Sequence, residues 1–221
     1  MNHPFTDESM TDESVQIDHI LIGTPSLERG IRELADLTGI SPAPGGIHPK
    51  FGTHNALLAL DRHRYLELIA PRPGATLSGG FEFLSDVREL APVAWAAATS
   101  DIAKTRRRVQ SAGFPTTAPT TGSRRAPDGS LLRWKMFRIE GVRIDEVPFF
   151  IEWGPKTEHP STTSPAGCRL LSVTVTLPAP DAMQHLVRLL NVDLEVRKSS
   201  RRSMQIQIES PNGIVRLGYR S

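Results

Sequence analysis

The order of apolar and polar residues near the start of the chain predicts a strand followed by a helix. Residues 16–23 (QIDHILIG) are rich in β-forming residues, and apolar residues then recur at helical spacing over residues 27–35. Gly39 follows this stretch, and a glycine commonly ends a helix. The strand carries His19 on the face that it shares with Leu21.

A second pattern, in residues 52–70, predicts a β-hairpin with an unusual acidic residue. Two short apolar runs are joined by residues 61–64, a polar link of hairpin length. On the second strand, Glu67 shares its face with Tyr65 and Ile69, so a carboxylate lies on an otherwise apolar face. Burying a carboxylate alone is costly, so Glu67 requires a cation or a hydrogen-bond donor.

The same succession of strand, helix and strands then recurs. Residues 93–99 predict a strand, and residues 131–139 and 147–153 predict two more after a helical stretch. In the last of these (VPFFIEW), Glu152 shares its face with Phe150. A second carboxylate is therefore placed on a mostly apolar strand, as Glu67 is.

These patterns divide the chain into five segments. Three units of one strand, one helix and further strands span residues 16–70, 93–160 and 168–221. Residues 71–92 form a linker with a short helix, and residues 1–15, which repeat TDES, predict a disordered leader. The predicted fold class is α+β, since each unit combines one helix with several strands. One such unit cannot bury its inner face alone, so we expect two units to pair and to close around a cleft.

Composition narrows the classes of function. The chain has 221 residues, 38% of them hydrophobic, so it can bury a substantial core, and it contains no apolar run near the ~18 residues of a membrane span. Its acidic start differs from a secretory signal, so we expect a cytoplasmic protein with no membrane partner. The single cysteine, Cys168, excludes an intrachain disulfide and a cysteine-rich zinc site. A net charge of +2 and the lack of a DNA-binding motif predict no nucleic-acid partner.

Three stretches of the chain carry a family resemblance: IDHILIGTPSLERGIRELADLTG, GGIHPKFGTHNALLALDRHRYLELIAP and VPFFIEWG. Together they resemble the glyoxalase-like domain family of the vicinal oxygen chelate superfamily, over most of residues 16–160. The resemblance implies paired βαβββ modules around a cleft, to which the repeat adds a third, βαβββ-like module. In enzymatic members it also implies a divalent metal, held by His or Glu side chains from the first and last strands of each module.

Carried over to this chain, the resemblance implies His19, Glu67 and Glu152 as ligands of one Zn, Ni, Mn or Fe ion. Where the second module should supply a further ligand, the chain has Ala94 or Trp95. A metal with open positions would polarise a substrate carbonyl and stabilise an enolate-like intermediate, with Glu67 or Glu152 as general base. The expected function is a lyase or isomerase acting on a small oxygenated substrate. Dioxygenase chemistry ranks lower, since two histidines and one carboxylate are supplied only if His48 or His54 joins the site.

Further substrate contacts are expected at His48, His54 and Asn55, and at Trp95 as an aromatic platform. Such a platform favours an alternative function, a metal-free protein that binds or sequesters a small molecule in the same cleft. Either glutamate could instead pair with one of the many arginines in the central region. These are Arg106, Arg107, Arg108, Arg124, Arg125, Arg133, Arg138 and Arg143.

The third unit is expected to be structural. Residues near Val173 and Val215 take the places of His19 and Glu67, so no metal ligand maps onto this unit. An odd number of units leaves one inner face without a partner in the chain. We therefore expect the third unit either to cover the cleft or to pair with its copy in a homodimer.

Overall fold

A computed structural model describes residues 15–126, 128–142 and 147–220 of the chain. The predicted leader therefore lies outside the described residues except for Val15, and Arg143 also lies outside them. Val15 is buried, at 3% exposure, and packs in the main core. The last residue of the predicted leader therefore belongs to the folded core.

The first unit has the predicted succession of strand, helix and strands. Helix α1 begins after Ser26, whose hydroxyl accepts the N–H of Arg29, and ends at Gly39, which adopts the left-handed conformation that suits glycine (φ 77°). The elements of this unit are β1 (Gln16–Gly23), α1 (Leu27–Thr38), β2 (Ala43–His48), β3 (Thr53–Ala59) and β4 (Tyr65–Pro71).

The second unit repeats this order after a linker that contains a short 3-10 helix, Glu82–Asp86. Asp101 begins its helix by accepting the backbone N–H of Lys104 at 2.9 Å. The elements are β5 (Ala91–Ala98), α2 (Ile102–Ser111), β6 (Thr120–Arg125), β7 (Leu131–Arg138) and β8 (Phe149–Trp153).

The strands of the first two units form one eight-stranded sheet in the order β2-β3-β4-β1-β5-β8-β7-β6. In each unit the first and last strands pair in parallel, and β1 pairs with β5 in the antiparallel direction to join the units. The edge strands β2 and β6 approach each other where the guanidinium of Arg124 donates to the carbonyl of Gly45. The sheet therefore curves almost into a barrel around its inner face.

The outer face of the sheet carries the main hydrophobic core. Ile20, Trp95 and Phe150 point outward from the central strands and are at most 1% exposed. They belong to the same core as Leu34 of α1 and Val109 of α2. Burial of this apolar surface is the main stabilising contribution. The helices thus cover the outer face and leave the inner face for the cleft.

The third unit follows a short helix, α3 (Pro160–Thr163), and forms its own sheet. That sheet has the order β10-β9-β11-β12, so its first strand lies inside the sheet and not beside its last strand. It therefore has the predicted element order but a different pairing from the first two units. Its elements are β9 (Arg169–Leu177), α4 (Asp181–Leu190), β10 (Glu195–Lys198), β11 (Ser203–Ser210) and β12 (Gly213–Arg220).

The apolar face of this third sheet is buried within the chain. Ile206 of β11 and Leu217 of β12 belong to the outer core, and β11 and β12 contact β5. A hydrogen bond of 3.0 Å from the side-chain amide of Asn212 to the carbonyl of Asp36 ties the turn between β11 and β12 to α1. The expectation that this unit covers the cleft is therefore wrong, because it packs on the opposite side of the sheet. A homodimer stays a prediction, but it no longer follows from an uncovered apolar face.

None of the helices in the described part of the chain is both long enough and apolar enough to cross a membrane.

Candidate active site

The inner face of the curved sheet forms a cleft with a polar side and an aromatic side. Strands β1, β3 and β4 bring His19, Asn55 and Glu67 to the polar side. Strands β7 and β8 bring Trp134 and Trp153 to the aromatic side. These positions share the inner face because side chains alternate between the two faces along each strand.

Glu67 is held by two neighbouring side chains. Its Oε1 accepts a hydrogen bond of 2.7 Å from the amide Nδ2 of Asn55, and its Oε2 lies 3.4 Å from Nε2 of His19. The side chain of Glu67 is 12% exposed and that of His19 is 4% exposed. The carboxylate therefore lies at the floor of the cleft, with one oxygen fixed and the other beside an imidazole.

Asp18 holds His19 from the other side. The register of β1 against β5 shifts between Ile17 and His19, so β1 contains a bulge at Asp18. At this bulge the carboxylate of Asp18 accepts a hydrogen bond from Nδ1 of His19. The imidazole also stacks on the ring of Tyr65, with 4.6 Å between the centroids. The orientation of His19 is therefore fixed by contacts on three sides.

Asp18 is completely buried and accepts two more hydrogen bonds. Nε1 of Trp153 donates to its Oδ2 at 2.9 Å, and Nε2 of His159 donates to the same oxygen at 3.0 Å. Burial by itself raises the pKa of Asp18, but the hydrogen bonds from His159 and His19 outweigh it and lower the pKa to about 2. Asp18 is therefore an anion at neutral pH.

The charge on Asp18 determines where His19 carries its proton. An ionised carboxylate only accepts hydrogen bonds, so the proton on Nδ1 of His19 faces Asp18. In neutral His19, Nε2 would then present a lone pair to Oε2 of Glu67, and two acceptors at this distance repel. One proton shared by His19 and Glu67 removes the repulsion. The geometry therefore suits a pair that holds and exchanges a proton.

His48 extends the polar side of the cleft. Its Nδ1 lies 3.0 Å from the hydroxyl oxygen of Thr53. Burial lowers the pKa of His48, while the negative charge of Glu67 raises it and the positive charge of Arg124 lowers it. Glu67 and Arg124 therefore both act electrostatically on the imidazole of His48. Its contact with a substrate stays a prediction.

The aromatic side of the cleft contains Trp134, Trp153 and Phe149. The rings of Trp134 and Trp153 meet edge to face, with 5.8 Å between their centroids. Trp134 lies over Gly122 of β6, where an added Cβ would come within 2.4 Å of the indole ring. Leu84 from the linker belongs to the same cluster. This wall is suited to a flat or apolar group.

Glu152 lies on the outer face of the sheet, away from His19 and Glu67. Its Oε1 is 2.9 Å from Nζ of Lys135, which is its neighbour across strands β7 and β8. Its Oε2 accepts the backbone N–H of Ile102 at 2.7 Å, and the start of a helix stabilises a negative charge. The structure thus corrects the prediction that Glu152 is a metal ligand or base in the cleft, because its carboxylate is already paired elsewhere.

Two predicted substrate contacts also lie outside the cleft. Trp95 pairs with Ile20 on the outward side and is 1% exposed in the core, so it cannot serve as a platform for a ligand. His54 projects from the outward side of β3. Burial lowers the pKa of His54, and the nearby negative charge of Glu28 at the start of α1 raises it. The structure corrects both predictions, because these side chains lie on the outer side of the sheet.

The residues of the cleft do not complete the predicted metal centre. His19 and Glu67 supply one nitrogen and one oxygen, whereas the facing positions of the second unit are Ala96, Phe149 and Ile151. Within residues 15–126, 128–142 and 147–220, no three His, Cys, Asp or Glu side chains are grouped so that they could hold an ion. Catalytic zinc sites use three protein ligands. The divalent metal thus stays a prediction that the described residues do not fit.

The sequence patterns miss two members of the polar cluster, Asp18 and His159. Strict alternation assigns Asp18 to the face opposite His19, because a bulge leaves no mark on the apolar pattern. The available signal is an acidic residue directly beside a histidine within an apolar strand. His159 lies in the loop before α3, where the residue pair His159-Pro160 indicates only a helix start.

Two βαβββ units that share one curved sheet and one cleft define a protein of the vicinal oxygen chelate fold. A family model described as a glyoxalase-like domain matches residues 17–190. The chain belongs to this glyoxalase-like domain family, as the resemblance implied. No curated protein matches the chain in sequence.

Comparison with solved structures finds similar chains. A hypothetical protein from Staphylococcus aureus is 19% identical, with a TM-score of 0.64 over 92% of this chain and 85% of that chain. Methylmalonyl-CoA epimerase from Mycobacterium tuberculosis is 21% identical, with a TM-score of 0.48 over 67% of this chain and 95% of its own. A hypothetical protein from Bacillus halodurans C-125 is 16% identical, with a TM-score of 0.46 over 65% and 96% of the two chains. At 19% identity, the similarity to the Staphylococcus aureus protein shows a shared fold.

Proposed function

We propose that this protein is an enzyme of the lyase or isomerase class that removes a proton from a small oxygenated substrate, with Glu67 as the general base. The observation that supports this proposal is the placement of Glu67 at the floor of the cleft. Its carboxylate is fixed through Oε1 by Asn55 and lies 3.4 Å from His19 through Oε2. A general base must be held within reach of the proton that it removes.

The proton leaves a carbon beside a substrate carbonyl and moves to Oε2 of Glu67. Oε1 is already occupied by the amide of Asn55, so Oε2 is the oxygen with capacity to receive it. The pair of His19 and Glu67 holds no proton before the reaction, and the proton from the substrate becomes the one that Oε2 of Glu67 and Nε2 of His19 share. The imidazolium that forms when this proton lies on His19 is stabilised by the anionic Asp18. The electron pair left on the substrate forms an enolate-like anion.

No step of this proposal passes through a metal. His19 and Glu67 provide only two ligands, and Glu152 is occupied on the outer face by Lys135 and the start of α2. The reaction therefore depends on the polar cluster of the first unit. Activity that withstands a chelator and is not raised by added Zn, Ni, Mn or Fe salts is the expected result.

The proposal is tested by exchange of carbon-bound protons for deuterium. The protein is incubated in D₂O with small 2-oxo and 2-hydroxy carbonyl compounds, and the loss of each C–H signal is followed by proton NMR. Glu67→Gln keeps the shape of the side chain and should slow exchange by about 10²- to 10⁴-fold, the usual contribution of a general base. The control Glu158→Gln changes an exposed glutamate and should exchange as the unmodified protein does.

A second candidate function is the binding or sequestering of a small molecule without chemistry. The aromatic wall formed by Trp134, Trp153 and Phe149 favours it, because such a surface binds flat or apolar groups without a catalytic base. Tight binding of an aromatic compound, together with no proton exchange on any compound of the panel, would support this function and contradict the proposed reaction.

A further inference from the structure

We propose that the cleft takes substrates in which a carboxylate is attached close to an aromatic or bulky apolar group, and that Arg124 binds the carboxylate. This inference rests on the proposed function, since it names the class of substrate for the same cleft. Arg124 belongs to strand β6, at the edge where the curved sheet almost closes.

The strand register places Arg124 on the inner face of the sheet. In the ladder of β6 and β7, Gly122 pairs with Trp134 and Arg124 pairs with Leu132. Trp134 belongs to the inner cluster of the cleft, and alternate residues of a strand share a face. Arg124 therefore lies on the same face as Gly122 and Trp134, whereas its neighbour Arg125 lies on the other.

The guanidinium of Arg124 reaches across the cleft to strand β2. It donates to the carbonyl of Gly45, and a Cβ added to Gly46 would lie 3.4 Å from its Nη1. The positive charge also lowers the pKa of His48 and acts on Tyr65, which stacks on His19. Arg124 therefore projects from β6 and brings its positive charge close to the polar side of the cleft.

Arg124 has hydrogen-bonding capacity that the protein does not use. A guanidinium carries five N–H donors, and the contact with Gly45 takes one nitrogen. Among the ion pairs between described residues, none includes Arg124. The predicted alternative, in which an arginine neutralises Glu67 or Glu152, is not met in this part of the chain either. The remaining donors form a planar fork that matches a carboxylate.

The surroundings of Arg124 indicate the rest of the ligand. Trp134 packs over Gly122, two residues before Arg124 on the same face, which places the indole about 7 Å from the Arg124 backbone along the strand. A ligand that contacts both therefore carries its ring and its carboxylate a few bonds apart. A single carboxylate fits better than a phosphate, since one guanidinium faces it and Glu67 would repel a second negative charge.

Paired ligands that differ only in charge test this inference. Calorimetry would measure the binding of 3-phenyllactate and its neutral analogue 3-phenyllactamide to the unmodified protein and to three variants. Arg124→Gln removes the cation, Arg124→Lys keeps the charge without the fork, and Arg125→Gln is the matched control on the opposite face. Thermal unfolding of each variant confirms that it is folded before binding is measured.

The unmodified protein and Arg125→Gln should bind 3-phenyllactate at least about tenfold more tightly than the amide, as expected for a charge-assisted pair. Arg124→Gln should lose this preference, and Arg124→Lys should keep part of it. Equal binding of the two compounds to the unmodified protein, binding of neither at millimolar concentration, or a preference that survives in Arg124→Gln would overturn the inference.

This test separates the inference from the proposed reaction, because neither compound has to react. If the preference for the carboxylate depends on Arg124 and no compound exchanges protons, the result supports the role of Arg124 and contradicts the proposed reaction. If proton exchange depends on Glu67 but the carboxylate is not preferred, the result supports the proposed reaction and contradicts the role of Arg124.

Discussion

The replacement Asp18→Asn tests whether a buried anion organises the site. Asp18 is fully buried and accepts hydrogen bonds from His19, Trp153 and His159. Asparagine keeps the shape of the side chain but removes the charge and turns one acceptor into a donor. That donor then faces the N–H of a neighbouring ring, so a favourable contact becomes a repulsive one.

The pKa of Asp18 gives the size of the expected effect. The fall from 3.8 to about 2 corresponds to about 2 kcal/mol of stability, since one pKa unit is worth about 1.4 kcal/mol. A pKa lowered by folding stabilises the folded state above the unfolded pKa. This stability is lost as the pH falls from about 4 towards 2. At pH 7, Asp18→Asn should therefore lower the free energy of unfolding by about 2 to 3 kcal/mol.

Urea unfolding followed by tryptophan fluorescence measures this effect at pH 7, 5, 4 and 3. Asp193→Asn, which changes an exposed aspartate, provides the control. The difference between the unmodified protein and Asp18→Asn should shrink below about pH 4. A variant within about 0.5 kcal/mol of the unmodified protein at pH 7, or a difference that stays constant down to pH 3, would refute the account of Asp18.

Two further variants probe the two faces of the sheet. Glu152→Gln should lower the free energy of unfolding by only about 0.5 to 1 kcal/mol, because its contacts with Lys135 and the N–H of Ile102 are partly exposed; a loss of ligand binding in the cleft would contradict its outward position. Gly122→Ala places a Cβ within 2.4 Å of Trp134 and should displace the indole, costing about 1 to 3 kcal/mol of stability and weakening the binding of 3-phenyllactate measured by calorimetry. Unchanged binding and an unchanged free energy of unfolding would contradict this placement of Trp134.

Local patterns predict most elements of the fold. The first strand, residues 16–23, is observed with the predicted bounds, because apolar residues and a following helix start define it on both sides. Strand β6 (Thr120–Arg125, TTGSRR) is missed because, as an edge strand, it is largely exposed and has no apolar alternation. The elements of the third unit are predicted in order. Their pairing is not, since the apolar face of a strand does not specify which strand lies beside it.

The candidate site is only partly predictable for a physical reason. The parities of Glu67 and Glu152 along their strands are assigned correctly from the sequence. The central strands are buried on both faces, however, one by the helices and one by the cleft, so apolar residues occur on both. Parity therefore does not tell which face is inside, and Glu152 and Trp95 are assigned to the wrong one. The bulge at Asp18 cannot be predicted from the sequence either, because apolar residues on both faces of β1 hide the change of register.

The central claim is that proton transfer depends on the carboxylate of the first unit and not on the equivalent carboxylate of the second. The most direct measurement compares deuterium exchange catalysed by Glu67→Gln and Glu152→Gln in one assay with one substrate. Glu67→Gln should slow exchange by at least about 10²-fold, and Glu152→Gln should leave the rate within about twofold of the unmodified protein. Equal losses in the two variants, or a loss in Glu152→Gln alone, would contradict the account.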